Sequence, residues 1–279
     1  MSVRIITDST VDLMPAIKQR VKQVPLAVRF GDQEYLDGVT IDPKTFYEML
    51  VKSEQLPTTS QPTPAAFEDA YREAVEAGDE VVCITIASKL SGTYQSATIA
   101  AEEFPGKVFV LDSRSAAIGS GLLTEYALKL ADEGKSGREI LEELMELRKR
   151  VRLYLFVDTL EYLKKGGRLS STVAVVGGLL NIKPVLVVDV TGEIKMLTTA
   201  RGMKKACSAL TEVCEKDGGP DFTLPYMLAY TGASDENLMK YMESSQQLWA
   251  ADSNRTIVGA AIGVHAGPGA VAAAFFAKA

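Results

Sequence analysis

The single histidine, His265, stands in Gly263-Val264-His265-Ala266-Gly267-Pro268-Gly269 near the end of the chain. An imidazole titrates near neutral pH, and the glycines and proline around it ask for backbone that bends sharply or approaches something closely. Two roles are open to it: a half-buried residue of a tight turn, or a proton-handling group in a site. Ser91-Gly92-Thr93 follows an apolar run ending near Ile86 and opens a helical pattern. Free N–H groups and the positive dipole end of a helix, joined by two hydroxyls, would seat a carboxylate or a phosphate. Equally, Ser91 caps its own helix. Thr58-Thr59-Ser60-Gln61-Pro62 sets three hydroxyls and an amide on backbone stiffened by proline, either across a cleft or as a plain linker. Lys164-Lys165-Gly166-Gly167-Arg168-Leu169-Ser170 is a glycine hinge between cations, suited to a phosphate or partner, or to the solvated C-terminus of a helix.

Groups so far apart in sequence need a scaffold to gather them. Residues 3–7 are an apolar run ending in Asp8-Ser9-Thr10, and the spacing predicts a helix over 11–21 with Ser9, Thr10 or Asp12 as cap. Strand-then-helix patterns recur at 80–86 with 93–104 and at 107–111 with 120–133. Between the first two units lie a strand over 24–30, a Gly31-Asp32 turn, a helix near 43–53 and an extended stretch over 57–64; Pro64 then suits the first turn of a helix to 77. This alternation implies a mostly parallel α/β sheet. Leu141, Leu144 and Leu147 mark a helix over 137–150, and 153–157 reads as a buried strand. The domain change is placed there, giving 1–157 and 158–279. The second part carries a helix ending at Lys164-Lys165, strands over 185–190 and 193–198 joined at Thr191-Gly192, a helix over 201–216, a further strand–helix unit and C-terminal apolar strands. It is mixed α+β.

With 279 residues the chain has ample material for a buried core. Thirty basic against thirty-six acidic side chains give a net charge of -6, which disfavours nucleic acid or an anionic membrane as a general partner. Cys83, Cys207 and Cys214 are odd in number and lack CxxC spacing, so they read as reduced core residues, with neither a disulfide framework nor a zinc site. No signal pattern opens the chain and no apolar run is long enough for a bilayer, so a cytoplasmic location is expected.

Asp8-Ser9-Thr10, Thr59-Ser60-Gln61-Pro62, Ser91-Gly92-Thr93-Tyr94-Gln95-Ser96-Ala97, Asp112-Ser113, Gly166-Gly167-Arg168-Leu169-Ser170, Leu180-Asn181-Ile182-Lys183-Pro184 and His265-Ala266-Gly267-Pro268-Gly269 follow one another along nearly the whole chain. In that order they resemble the DegV family, which includes the FakB fatty-acid-binding subunits of bacterial fatty acid kinase. The alanine-rich segment Val271-Ala272-Ala273-Ala274-Phe275-Phe276 is unusual and bears on cavity shape. The resemblance implies a two-domain α/β fold of DegV type, with a mostly parallel N-terminal domain, a mixed α+β C-terminal domain and the ligand between them. That ligand is one long-chain fatty acid, with no further cofactor and no metal. By the same resemblance Thr59, Ser91 and the N–H of Gly92 hold the carboxylate, His265 stands beside it, and Arg168 and Arg201 lie near the cleft mouth, facing phosphate or a partner.

The partner so implied is an ATP-dependent kinase subunit that phosphorylates the bound carboxylate, the acyl-phosphate then feeding phospholipid synthesis. The chain, which lacks a Walker-type loop, is a carrier and not an enzyme. Leu179, Leu180, Ile182, Val185, Val187, Ile262 and Phe275 are candidates for the acyl tunnel, with core packing as their alternative role. The apolar 173–180 stretch is the expected gate, opening at a transient membrane contact. Two other readings stay open. Ser91 as nucleophile with His265 as base would make an acyl hydrolase or transferase, although no Gly-x-Ser-x-Gly elbow surrounds Ser91. A regulatory sensor of another anionic lipid is the second.

Overall fold

Residues 2–169 and 181–278 are described by the computed structural model. In chain order the elements are β1 (Val3–Asp8), α1 (Pro15–Lys18), β2 (Lys22–Val24), β3 (Ala27–Phe30), β4 (Gln33–Leu36), α2 (Pro43–Lys52), β5 (Thr58–Ser60), α3 (Pro64–Glu76), β6 (Glu80–Thr85), α4 (Thr93–Ala101), β7 (Val108–Asp112), α5 (Ala117–Asp132) and α6 (Gly137–Leu147). A 3-10 turn (Arg148–Arg150) leads to β8 (Val151–Phe156), α7 (Glu161–Lys165), β9 (Ile182–Val188), β10 (Ile194–Arg201), α8 (Met203–Lys216), β11 (Tyr226–Tyr230), α9 (Glu236–Ser244), β12 (Arg255–Ile257), α10 (Ala260–Ala266) and β13 (Val271–Phe276).

Three sheets result. β2-β1-β6-β7 is wholly parallel, β4-β3-β5 is a small antiparallel layer, and β10-β9-β8-β13-β11-β12 is mixed, with only β11 and β12 parallel. The mixed α/β architecture expected from the sequence is therefore present. The chain crosses to the six-stranded sheet at β8, ahead of residue 157. Local signals set many boundaries: Asp42 and Thr63 cap α2 and α3, each with a proline in the first turn, and Ser136 with Glu139 forms a capping box on α6. No helix among the described residues is long and apolar enough to cross a membrane.

One expected element is different. The helix over 11–21 shrinks to the four residues of α1, because Asp8 accepts the N–H of Thr10 in a tight turn and Pro15 pushes Met14 out of helical backbone. In the C-terminal apolar region the strands are β12 and β13, and helix α10, which carries His265, stands between them.

The six-stranded sheet separates two cores by simple alternation. Leu153, Val188, Ala229, Ala272 and Phe276 face the side covered by α5, while Tyr154, Val185, Val187 and Phe275 belong to the core that also holds Trp249, under α8 and α9.

Candidate functional site

In the parallel sheet the chain runs from β1 to β2 on one side and returns to β6 on the other, so strand order reverses between β1 and β6. Ligands of open α/β sheets sit outside the carboxyl ends of strands at such a reversal. Asp8, the last residue of β1, is fully buried there. Its carboxylate accepts from the N–H of Ile86 and the N–H of Thr10, both at 2.8 Å, and from the Thr10 hydroxyl. Burial pushes this carboxyl above its ordinary value, and the three hydrogen bonds oppose the rise. Thr10 and Ile86, fixed in this way, line a cavity of about 850 Å³, its open mouth included.

The cavity lies between those strand ends and the α5-facing side of the six-stranded sheet. Ala116, Leu153, Val188, Ala229 and Ala272 contribute apolar wall. Ala229 and Ala272 are register partners on neighbouring strands, and their small side chains leave room where larger ones would meet.

Polar groups gather on one part of this wall. Thr59 extends from β5, held by pairing with Val28, and its Oγ1 lies 2.9 Å from His265 Nε2. His265 occupies the last turn of α10, which ends at Gly267 in left-handed backbone, φ +70°. A Cβ at Gly267 would stand 2.2 Å from the ring of Tyr162, and one at Gly166 would stand 2.2 Å from His265 Nδ1. These two glycines let α7 touch α10. Nδ1 is buried without a partner among the described residues. Burial, and secondarily the charge of Arg168, push the His265 pKa down to about 4, so the imidazole is neutral at pH 7. Arg168 donates from Nε to Leu90 O at 3.1 Å and from Nη1 to Gly166 O at 2.6 Å, tying the α7 end to the loop that carries Ser91. Ser91 Oγ is 2.8 Å from Thr93 Oγ1 and accepts the Thr93 N–H at 3.3 Å. Gly92 precedes α4, and a Cβ there would fall 2.1 Å from Gln61 Oε1. Gln61 also donates to Ser96 Oγ at 3.0 Å, stapling the β5 segment to α4.

The family model described as "uncharacterised protein, DegV family" matches residues 2–278. The chain belongs to the DegV family. A DegV domain-containing protein of Deinococcus radiodurans is 39% identical over 280 residues, 98% of each chain. A DegV family protein of Thermus thermophilus, described for its fatty acid binding, superposes with a TM-score of 0.88 at 35% identity, over 99% of this chain and 100% of that one. The fatty acid kinase (Fak) B3 protein of Streptococcus pneumoniae, loaded with linoleic acid, gives 0.85 at 26% identity over 100% of both.

On this DegV scaffold Thr59, Ser91, Arg168, His265 and Ile262 all line the one cavity. Gly92 lies behind Ser91 under Gln61 and is not part of the wall. Arg201 ends β10, exposed, opposite a half-buried Ile182, and neither residue reaches the cavity. Val185, Val187 and Phe275 face the opposite core around Trp249, one step out of phase with the true wall residues Val188 and Ala272. Leu179, Leu180 and the 173–180 gate lie outside the described residues. The wall residues missed in the sequence include Thr10, Leu153, Leu155, Leu163, Ala229 and Ala272. A signal for Leu153 and Leu155 was present in the period-2 pattern of Leu153-Tyr154-Leu155-Phe156. Cys83, Cys207 and Cys214 are buried and unpaired. Among the described residues no group of three or more His, Cys, Asp or Glu is placed to hold a metal.

Proposed function

We propose that this protein binds one long-chain fatty acid, with the acyl chain in the apolar cavity and the carboxylate at Thr59, Ser91 and His265. One observation carries the reading: a mostly apolar cavity whose wall brings together two hydroxyls, a neutral imidazole and an arginine from four separate segments. A carboxylate oxygen needs donors. If Ser91 accepts from the N–H and hydroxyl of Thr93, its own proton is free for the ligand; if Thr59 accepts from His265 Nε2–H, so is that of Thr59. Each buried methylene contributes about 0.8 kcal/mol. The fatty acid binding described for the Thermus protein and the linoleic acid carried by the Streptococcus protein agree with this chemistry.

The protein acts, in this reading, as a carrier in the cytoplasm that presents the carboxylate to a separate ATP-dependent kinase subunit, the acyl-phosphate serving phospholipid synthesis. Arg168 at the wall and Arg201 at the exposed end of β10 face that partner or its phosphate, and the acid is loaded at a transient membrane contact. The two-part organisation, 1–157 and 158–279 with the ligand between, belongs to the same proposal. Against the hydrolase alternative, Ser91 Oγ bonds Thr93 and His265 bonds Thr59, so among the described residues no serine–imidazole hydrogen bond supports a nucleophile. Mass spectrometry of ligand released from purified protein by denaturation should show a long-chain fatty acid; another anionic lipid would favour the sensor. Serine-dependent cleavage of a chromogenic acyl ester would favour the hydrolase.

A further inference from the structure

Helix α10 brings Ile262, His265 and Ala266 to the cavity wall, yet the residue before it, Gly259, has no side chain with which to cap it. Two carboxylates from the opposite end of the chain take its free N–H groups. Asp37 Oδ1 accepts from Ala260 N at 2.9 Å and Oδ2 from Ala261 N at 3.1 Å, while Asp12 Oδ1 accepts from Gly259 N at 2.8 Å. Both acids are buried, 4% and 7% exposed. They converge on Gly259, where a Cβ would stand 3.2 Å from Asp12 Oδ1 and 3.4 Å from each oxygen of Asp37. Their backbones belong to other parts of the wall. Asp37 N donates to Leu26 O and Asp12 N to Ala117 O, and Leu26 and Ala117 both line the cavity.

We infer that Asp37 is a positioning residue for His265: its two-pronged hold on the start of α10 fixes how the helix sits against the wall, and with it the reach of His265 to Thr59. The inference rests on the fatty-acid reading, in which that pair meets the ligand. The two acids have different parts. Burial raises both carboxyls, that of Asp12 further, and Asp12 Oδ2 has no partner among the described residues. On Asp37 two backbone N–H groups, Ser9 and the nearby Lys18 oppose the rise, while on Asp12 one backbone N–H and Lys18 do so. Tyr47, whose hydroxyl donates to Val258 O at 3.1 Å, packs against the same corner and is neutral.

Because the chain has one histidine, its imidazole gives the only such signals in a nitrogen-15 NMR titration of the full protein. In Asp37→Asn an NH2 group replaces one acceptor and faces a backbone donor. The expected result is a His265 pKa moving up from about 4 toward 6.5, with stearate binding roughly tenfold weaker in calorimetry. Asp12→Asn should leave both nearly unchanged, since its amide oxygen still accepts from Gly259. If Asp37→Asn does not fold, Gly259→Ala crowds the same carboxylates by a few tenths of an ångström and should shift both readouts in the same direction. A purely structural role would lower the melting temperature without moving the histidine titration. Unchanged titration and stearate affinity would overturn the inference, as would equal effects from Asp12→Asn and Asp37→Asn. A wild type that takes up no stearate, but whose histidine titration moves in Asp37→Asn, keeps the positioning role and removes the fatty-acid reading instead.

Discussion

Ala272→Leu has two expected consequences of opposite sign. Ala272 lies in β13 between Leu155 of β8 and Ala229 of β11, and lines the cavity. Leucine adds three carbons there. In the ligand-free protein they fill space and bury apolar surface, stabilising the fold by about 1–2 kcal/mol, which for a chain of this size raises the melting temperature by roughly 2–6 °C. In the complex the same carbons occupy the room of about three methylenes, about 0.8 kcal/mol each, so stearate should bind roughly 50-fold more weakly. Dodecanoic acid, short enough to do without that room, should lose less than about fivefold. Thermal melts and calorimetric titrations of delipidated protein read both effects. Equal losses for the two acids, or a lower melting temperature with unchanged stearate affinity, would refute the assignment of Ala272 to the acyl wall.

Three further outcomes follow from the geometry. Phe275→Ala removes a fully buried ring that packs on Trp249 and Tyr154 with centroids 6.1 Å from each; denaturant titration should show a loss of about 3–5 kcal/mol, with the stearate-to-dodecanoate affinity ratio unmoved. Gly166→Ala places a Cβ 2.2 Å from His265 Nδ1, forcing the ring off Thr59, so stearate binding should weaken about tenfold in calorimetry at a folding cost of about 1–3 kcal/mol. The third concerns pH. His265 is held neutral in the fold, with its pKa down at about 4 from 6.5, so between those values the unfolded chain takes up a proton that the native state refuses. Its contribution is intact above pH 6.5 and is lost as pH falls toward 4, at no more than about 1.4 kcal/mol per pH unit. Asp8, Asp12 and Asp37, raised by burial, act in the opposite direction. The measurement is therefore the difference in urea stability between wild type and His265→Gln, which should shrink or reverse as pH falls through that window.

Short-range chemistry made much of the fold readable. Pro64 in the first turn of α3, the Leu141-Leu144-Leu147 spacing of α6 and the alternation of strands with helices all act within a few residues, and the structure follows them. The polar residues that line the cavity stand out for a similar reason: Thr59, Ser91, Arg168 and His265 each sit in a short, chemically distinctive run. The apolar wall of the cavity is harder to read, because its residues are ordinary alanines and leucines. Their role depends on strand parity, and β9 reads as a continuous apolar run, Val185-Leu186-Val187-Val188, buried on both faces. Hydropathy alone gives no phase in such a strand and cannot separate Val185 and Val187 from Val188, which lines the cavity. Asp12 was hidden differently. It looks like a cap for the helix that follows it, yet it caps the N–H of Gly259, which only the folded chain brings near.

In the proposed reading the cavity holds a fatty acid by its carboxylate at Thr59, Ser91 and His265. The most direct test is a calorimetric titration of delipidated protein with stearate, run beside the Thr59→Val and Ser91→Ala variants. One acid should bind per chain, with a negative heat-capacity change from the buried apolar surface, and each variant should bind more weakly by roughly tenfold. Delipidated wild type that stays folded and takes up no stearate, or variants that bind it as tightly as wild type, would overturn that reading.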